Sequence, residues 1–225
     1  VIGFSSHLNK YIINYSVREE TDNVDSIQND LVRECFKYFN VDPCTCSLTS
    51  DIFSSGSGLA SSSSYLVGLT KAVCHQQNIS ITNFDICQKS MLIERRFNPL
   101  VGYQDPFGCG VGGINRLRIT KPNTVECEPI STNIFNELDM YLIHTRLNRT
   151  STQLLKNIDK NQTIHLLPLV DAMQDAMLNS DITSFSKIIK EGWSRKKNSN
   201  PTVTSKLEVS SIDESLASNP DILSH

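Results

Sequence analysis

The chain has 225 residues, 39% of them hydrophobic, with 21 basic and 24 acidic side chains and a formal net charge of −3. That is enough apolar material for a sizeable core, in one domain or two subdomains. The near balance of charge gives no reason to expect a nucleic-acid partner, and no apolar run approaches the length of a membrane span. Seven cysteines include one close pair, Cys44-Thr45-Cys46, whose one-residue spacing fits neither a zinc ribbon nor a disulfide framework. They are expected to be reduced thiols. With no charged leader followed by a long apolar stretch, the expected location is cytoplasmic.

The first residue, Val1, is not Met, so the chain is expected to begin inside a longer protein. Phe4 to Tyr11 reads as a strand and Ile12 to Ser16 as a second. Val24 to Phe39 carries Leu31, Cys35 and Phe39 at helical spacing, with Asp30 as the expected cap. Thr45 to Ile52 reads as a strand running into the most informative stretch of the chain.

That stretch, Ser54 to Ser64, holds two glycines and seven serines ahead of an apolar helix in which Leu66, Leu69 and Val73 share a face. A loop opening onto a helix N-terminus meets unpaired N–H groups and the positive end of the helix dipole, which together favour an anion. Gly56 and Gly58 allow positive φ and a close approach of phosphate to the backbone, and the hydroxyls can donate to phosphate or meet a cation. Composition alone would also allow a Ser/Gly linker, but linkers lack an immediate apolar continuation. No Gly-Lys-Ser/Thr closes the run as in a Walker loop, and Ser61 stands where a Gly-x-Gly-x-x-Gly motif needs its third glycine. The run resembles instead the Pro-x-x-x-Gly-Leu-Gly-Ser-Ser motif of the GHMP kinases, the superfamily of galactokinase, homoserine kinase and mevalonate kinase. Ser54 replaces the proline and Ala60 the glycine after leucine, while Gly58, Leu59, Ser61 and Ser62 are kept.

Asn83 to Glu94 reads as a helix, followed by a turn, a loop carrying Asp105 and the glycine-rich segment Gly108 to Gly113. Singly, Glu94 would pair with Arg95 or Arg96 on a solvated face, and Asp105 would start a turn before Pro106. In order, and downstream of the serine loop, the two carboxylates resemble the metal-binding glutamate and catalytic aspartate of many GHMP kinases. Gln104-Asp105 and Gly112-Gly113-Ile114-Asn115 are most similar to the branch that phosphorylates D-glycero-D-manno-heptose 7-phosphate. Gly113 to Ile119 then reads as a strand ended by Lys121-Pro122-Asn123, and Met140 to Thr145 as another. Thr150 opens a helix. Two further helices, Ile164 to Leu178 interrupted by Pro168 and Ile182 to Lys197 with its Phe185, Ile188, Ile189 and Trp193 stripe, complete the pattern.

The resemblance implies an α+β, GHMP kinase-like fold of two subdomains, truncated at both ends. Residues 1–128 would be the ATP-binding domain, with a mixed sheet and helices, and residues 129–225 a more helical C-terminal domain. It implies ATP bound by Ser55, Gly56, Ser57, Gly58, Leu59, Ala60, Ser61 and Ser62, with Mg²⁺ on Ser62 and Glu94. Asp105 would be the catalytic base, and a sugar or sugar phosphate the acceptor. Phosphoryl transfer is mostly positioning and charge neutralisation, and these are suitable parts for it. The five histidines, scattered singly, are left out. A catalytically silent nucleotide-binding remnant and a non-enzymatic α+β interaction domain stay open as alternatives, and the oligomeric state is not legible.

Overall fold

The computed structural model describes residues 2–5, 9–50, 58–121, 124–131, 133–143, 145, 164–199, 207–220 and 222–225. The fold is α+β, in two compact units, Val1–Gly112 and Gly113–His225.

In the first unit, β1 (Ile2–Ser5), β2 (Tyr11–Asn14), β3 (Arg18–Thr21) and β4 (Thr45–Leu48) form a mixed sheet in the order β1-β4-β2-β3. β4 is antiparallel to β1 and parallel to β2, while β2 and β3 form a hairpin. The parallel pair needs a crossover, which α1 (Asp30–Phe39) supplies. One expectation changes here. The strand expected over Phe4 to Tyr11 is two strands, with β4 inserted between them. β3, whose Arg-Glu-Glu-Thr sequence carries no apolar alternation, is an edge strand where charge is tolerated and blunts further pairing.

Asn29, not Asp30, caps α1, because its Oδ1 accepts the Val32 N–H at 3.2 Å. Asp30 is the first helical residue and is paired with Arg33. α2 (Ser61–Gln76), α3 (Asn83–Glu94) and α4 (Gln104–Gly110) follow. Asp105 therefore lies in the first turn of a short helix rather than in a loop. Pro106, lacking an N–H, fits that first turn without losing a helical bond. Ile13, Ile27, Val32, Phe36, Leu66, Leu69, Val73 and Ile93 fill the core of the unit.

In the second unit, β5 (Asn115–Lys121) pairs with β6 (Thr124–Pro129), a strand the sequence pattern did not reveal. Pro168 does not interrupt a helix: Ile164–Leu166 is a separate 3₁₀ turn, and Pro168 sits in the first turn of α5 (Leu167–Leu178). Met140 to Ile143 and Thr145 are not in a strand, and Tyr141 is 85% exposed. The helix expected from Thr150 lies outside the described residues. α6 (Ile182–Ser199) and α7 (Leu207–Ser218) complete the unit, with Phe185 edge-on to Phe135 at 5.8 Å. No helix among the described residues is long and apolar enough to cross a membrane.

Asp213 ties α6 and α7 together. Trp193 Nε1 donates to its Oδ1 at 2.5 Å and Lys197 Nζ to its Oδ2 at 2.7 Å, while His225 Nε2 lies 2.9 Å from Oδ1. Burial alone would push this carboxyl up, but the three hydrogen bonds outweigh it and hold the pKa at about 2. A depressed carboxyl stabilises the fold above its unfolded pKa of 3.8, and that contribution is lost as pH falls toward 2. It amounts to about 2 kcal/mol. Asp213→Asn should lower stability to urea at pH 6 by most of that amount and remove the loss between pH 4 and 2; equal urea midpoints at pH 6 would show that the cluster contributes nothing.

Candidate active site

Of the serine-loop residues, Ser55, Gly56 and Ser57 lie outside the described residues. From Gly58 onward the chain turns tightly into α2. Gly58 has φ +76°, and Ala60 has φ +53° and ψ +32°. Ala60 is thus a left-handed residue carrying a Cβ, at the position where the sequence departs from the glycine of the motif. Its carbonyl accepts the Ser64 N–H at 2.9 Å, the first bond of the helix ladder, so the preceding N–H groups lie ahead of the ladder at the positive end of α2. Leu59 is exposed, Ser61 half-buried and Ser62 exposed, whereas Ser63 is buried.

Glu94 is the last residue of α3, whose other end is capped by Thr82 through the Asp85 N–H at 3.1 Å. Its carbonyl accepts the Asn98 N–H at 2.8 Å, closing the helix. The Glu94 side chain is only 2% exposed, and Ser63 Oγ donates to its Oε2 at 2.7 Å. Burial pushes this carboxyl up, the Ser63 hydrogen bond opposes the shift, and the nearby charge of Asp105 adds to it. The serine that meets Glu94 is therefore Ser63, not its exposed neighbour Ser62. Sequence reading passed over Ser63, although the signal was there: residues 63, 66, 70 and 73 recur at helical spacing and all face inward.

α4 brings Asp105 to the same corner. Phe107 is buried, edge-on to Phe84 at 5.3 Å, and anchors the short helix. At Gly110 the helix lies so close to its neighbours that a Cβ would fall 2.3 Å from Cys87 Sγ and 3.2 Å from Val67 Cγ1. Cys109 Sγ lies 3.9 Å from the Ala60 carbonyl, against the loop that opens α2. Its thiol is pushed up by burial and by the charges of Asp105 and Glu94. The two arginines have other partners. Arg95 stacks over Tyr103 at 5.0 Å and donates to the Val101 carbonyl; Arg96 lies over Tyr38 at 5.1 Å, with Glu34 3.8 Å away.

Among the described residues no group of three His, Cys, Asp or Glu is placed to hold a metal ion. Two neighbouring carboxylates, one of them buried, nevertheless suit a hard cation that takes one or two carboxylates and completes its shell with phosphate oxygens and water. Backbone N–H groups at the head of α2, a buried carboxylate and a second, half-buried one make a corner with the chemistry to neutralise a polyphosphate and orient a hydroxyl.

Two substitutions test this geometry. A left-handed Cβ costs about 1–2 kcal/mol, and glycine gives back about 0.4–1 kcal/mol through the unfolded chain. Ala60→Gly should therefore raise stability by about 0.5–1 kcal/mol, measured by chemical unfolding; a loss would mean that Ala60 is not left-handed. Gly110→Ala should destabilise by about 1–3 kcal/mol through overpacking. Adding Cys87→Ala should recover part of that loss, and no recovery would place α4 elsewhere.

Residues 28–113 match the family described as the GHMP kinases N terminal domain. Over 186 residues the chain is 26% identical to a D-glycero-alpha-D-manno-heptose 7-phosphate kinase of Campylobacter jejuni, an alignment covering 76% of this chain and 54% of that protein. The chain thus spans about half the length of this curated relative. Among solved structures, the D-glycero-D-manno-heptose 1-phosphate kinase of Bacteriodes thetaiotaomicron matches with a TM-score of 0.63 at 20% identity, covering 87% of this chain and 66% of that one. The mevalonate kinase of Methanococcus jannaschii matches at 0.62 and 19% identity, covering 88% and 68%. These likenesses establish the fold. Residues 28–113, which hold Gly58, Ser63, Glu94 and Asp105, thus match a GHMP kinase N-terminal domain, and a heptose phosphate kinase is among the sequence relatives of the chain.

Proposed function

We propose that the protein is a sugar kinase that transfers the γ-phosphoryl group of ATP to a hydroxyl of a heptose 7-phosphate or a related sugar. The observation that carries this reading is the pairing of a buried carboxylate, Glu94, with a second carboxylate, Asp105, beside the serine-rich start of α2. Gly58 to Ser62, with Ser55, Gly56 and Ser57 ahead of them, bind the phosphates through backbone N–H groups and hydroxyls. Ser62 and Glu94 hold Mg²⁺, which when bound neutralises charge on the transferring phosphates. Asp105 accepts the proton of the attacking sugar hydroxyl, or orients that hydroxyl for attack. Glu94 stays ionised when a cation faces it, since an opposite charge offsets the cost of its burial. Similarity to a heptose 7-phosphate kinase supports the acceptor class, and the location expected for such an enzyme is the cytoplasm.

The test is the contrast between two isosteric substitutions. Asp105→Asn should keep nucleotide binding and lower sugar-dependent turnover by roughly 10² to 10⁴-fold, the usual loss on removing acid–base catalysis. Glu94→Gln should weaken Mg²⁺-dependent nucleotide binding as well as turnover. Unchanged turnover in Asp105→Asn would leave the reaction without its base. ATP binding with no sugar-dependent turnover in the full-length protein would favour a nucleotide-binding remnant, and no nucleotide-induced rise in thermal stability would favour an interaction domain.

A further inference from the structure

Ser63, Thr70, Ser90 and Glu94 are buried polar residues, and all four lie where α2 and α3 meet. They form two separate bridges. Ser90 Oγ lies 3.1 Å from Thr70 Oγ1 and 3.5 Å from the Leu66 carbonyl, a neutral contact that satisfies two hydroxyls. The other bridge, Ser63 Oγ to Glu94 Oε2, holds an acid. Three features work against a charge on Glu94. It is 2% exposed, it ends α3 at the negative pole of the helix dipole, and Asp105 is close enough to repel it. Ser63 is the third residue of α2, ahead of the turns in which a helical serine can bond the carbonyl four residues back. Ser63 reaches across to the neighbouring helix instead, and only one of the two Glu94 oxygens receives it.

We propose that Ser63 is a positioning residue for Glu94: its hydroxyl fixes the carboxylate through Oε2 and leaves Oε1 to meet the cation of a bound Mg²⁺·nucleotide. The inference rests on the kinase reading above but adds a residue outside the predicted phosphate- and metal-binding set. Partners that orient a metal ligand from behind are worth about 10- to 100-fold in metal affinity. Ser63 is 1% exposed, so it acts through Glu94 and not on solvent-borne substrate directly.

A non-hydrolysable ATP analogue is titrated into the chain by calorimetry, once with Mg²⁺ and once with a chelator, and the ratio of the two affinities is the readout. In Ser63→Ala the ratio should fall roughly 10-fold or more while metal-free affinity is unchanged. Ser90→Ala breaks the other bridge of the same helix interface; it should lower the melting temperature and leave the ratio alone. In a Glu94→Gln background, Ser63→Ala should have no further effect on the ratio. Ser63→Cys, close in size with a weak donor, should give an intermediate ratio and serves if the alanine variant does not fold. A parental ratio in folded Ser63→Ala or Ser63→Cys would overturn the proposal, as would an equal fall in ratio for Ser90→Ala. A parent chain that does not bind the analogue with or without Mg²⁺ would instead overturn the kinase reading, and this proposal with it.

Discussion

Glu94 is an acid held at 2% exposure between two helices, and the N-terminal unit is arranged around that burial. A carboxylate in such a place is expensive unless it is hydrogen-bonded or meets a cation. The helix that supplies its hydrogen bond, through Ser63, is the same helix whose first turn presents the serine-rich loop. The position of the acid and that of the serine-rich loop are therefore one decision. Sliding α2 against α3 would break the Ser63 and Thr70 bridges together, since both cross the same interface.

The backbone makes its own demands around this contact. Ala60 accepts a left-handed conformation so that the chain can turn from Gly58 into the helix, and Gly110 accepts having no side chain so that α4 can lie against Cys87 and Val67. Each is a local cost borne where the corner needs it. Removing the Cβ at 60 relieves strain, whereas adding one at 110 pushes away the helix that carries Asp105. The two carboxylates are thus set by different means, Glu94 by a hydrogen bond and Asp105 by close packing.

The second unit is held differently. Among the described residues of α5, α6 and α7 only Ala176, Met177 and Val209 are buried, the Phe185, Ile188 and Ile189 stripe of α6 is half-buried, and the contact between α6 and α7 relies on Asp213 with its three hydrogen-bonded neighbours. Lys197 also lies over the Trp193 ring at 5.4 Å, so one cation serves both the ring and the acid. Trp193, expected from its spacing to be a core residue, is half-buried with its N–H directed to Asp213.

Much of this was legible in the sequence, for local reasons. The helical spacing of Leu66, Leu69 and Val73 fixes α2, because apolar residues at 3.6-residue periodicity can be buried only on one face of a helix. Gly58 marks the tight turn because glycine alone takes positive φ freely. Glu94 and Asp105 were found as a pair through their order behind the serine loop. The rest depends on neighbours far away in the chain. β3 and β6 carry too little apolar alternation to be seen alone, and become strands by hydrogen bonding to β2 and β5. The apolar run at Met140 to Ile143 has the composition of a strand but no strand conformation, since a strand is defined by its partner. Which serine meets Glu94 was also a tertiary matter. Ser62 and Ser63 are chemically identical, and only the rotation of α2 against α3 turns one outward to solvent and the other onto the acid.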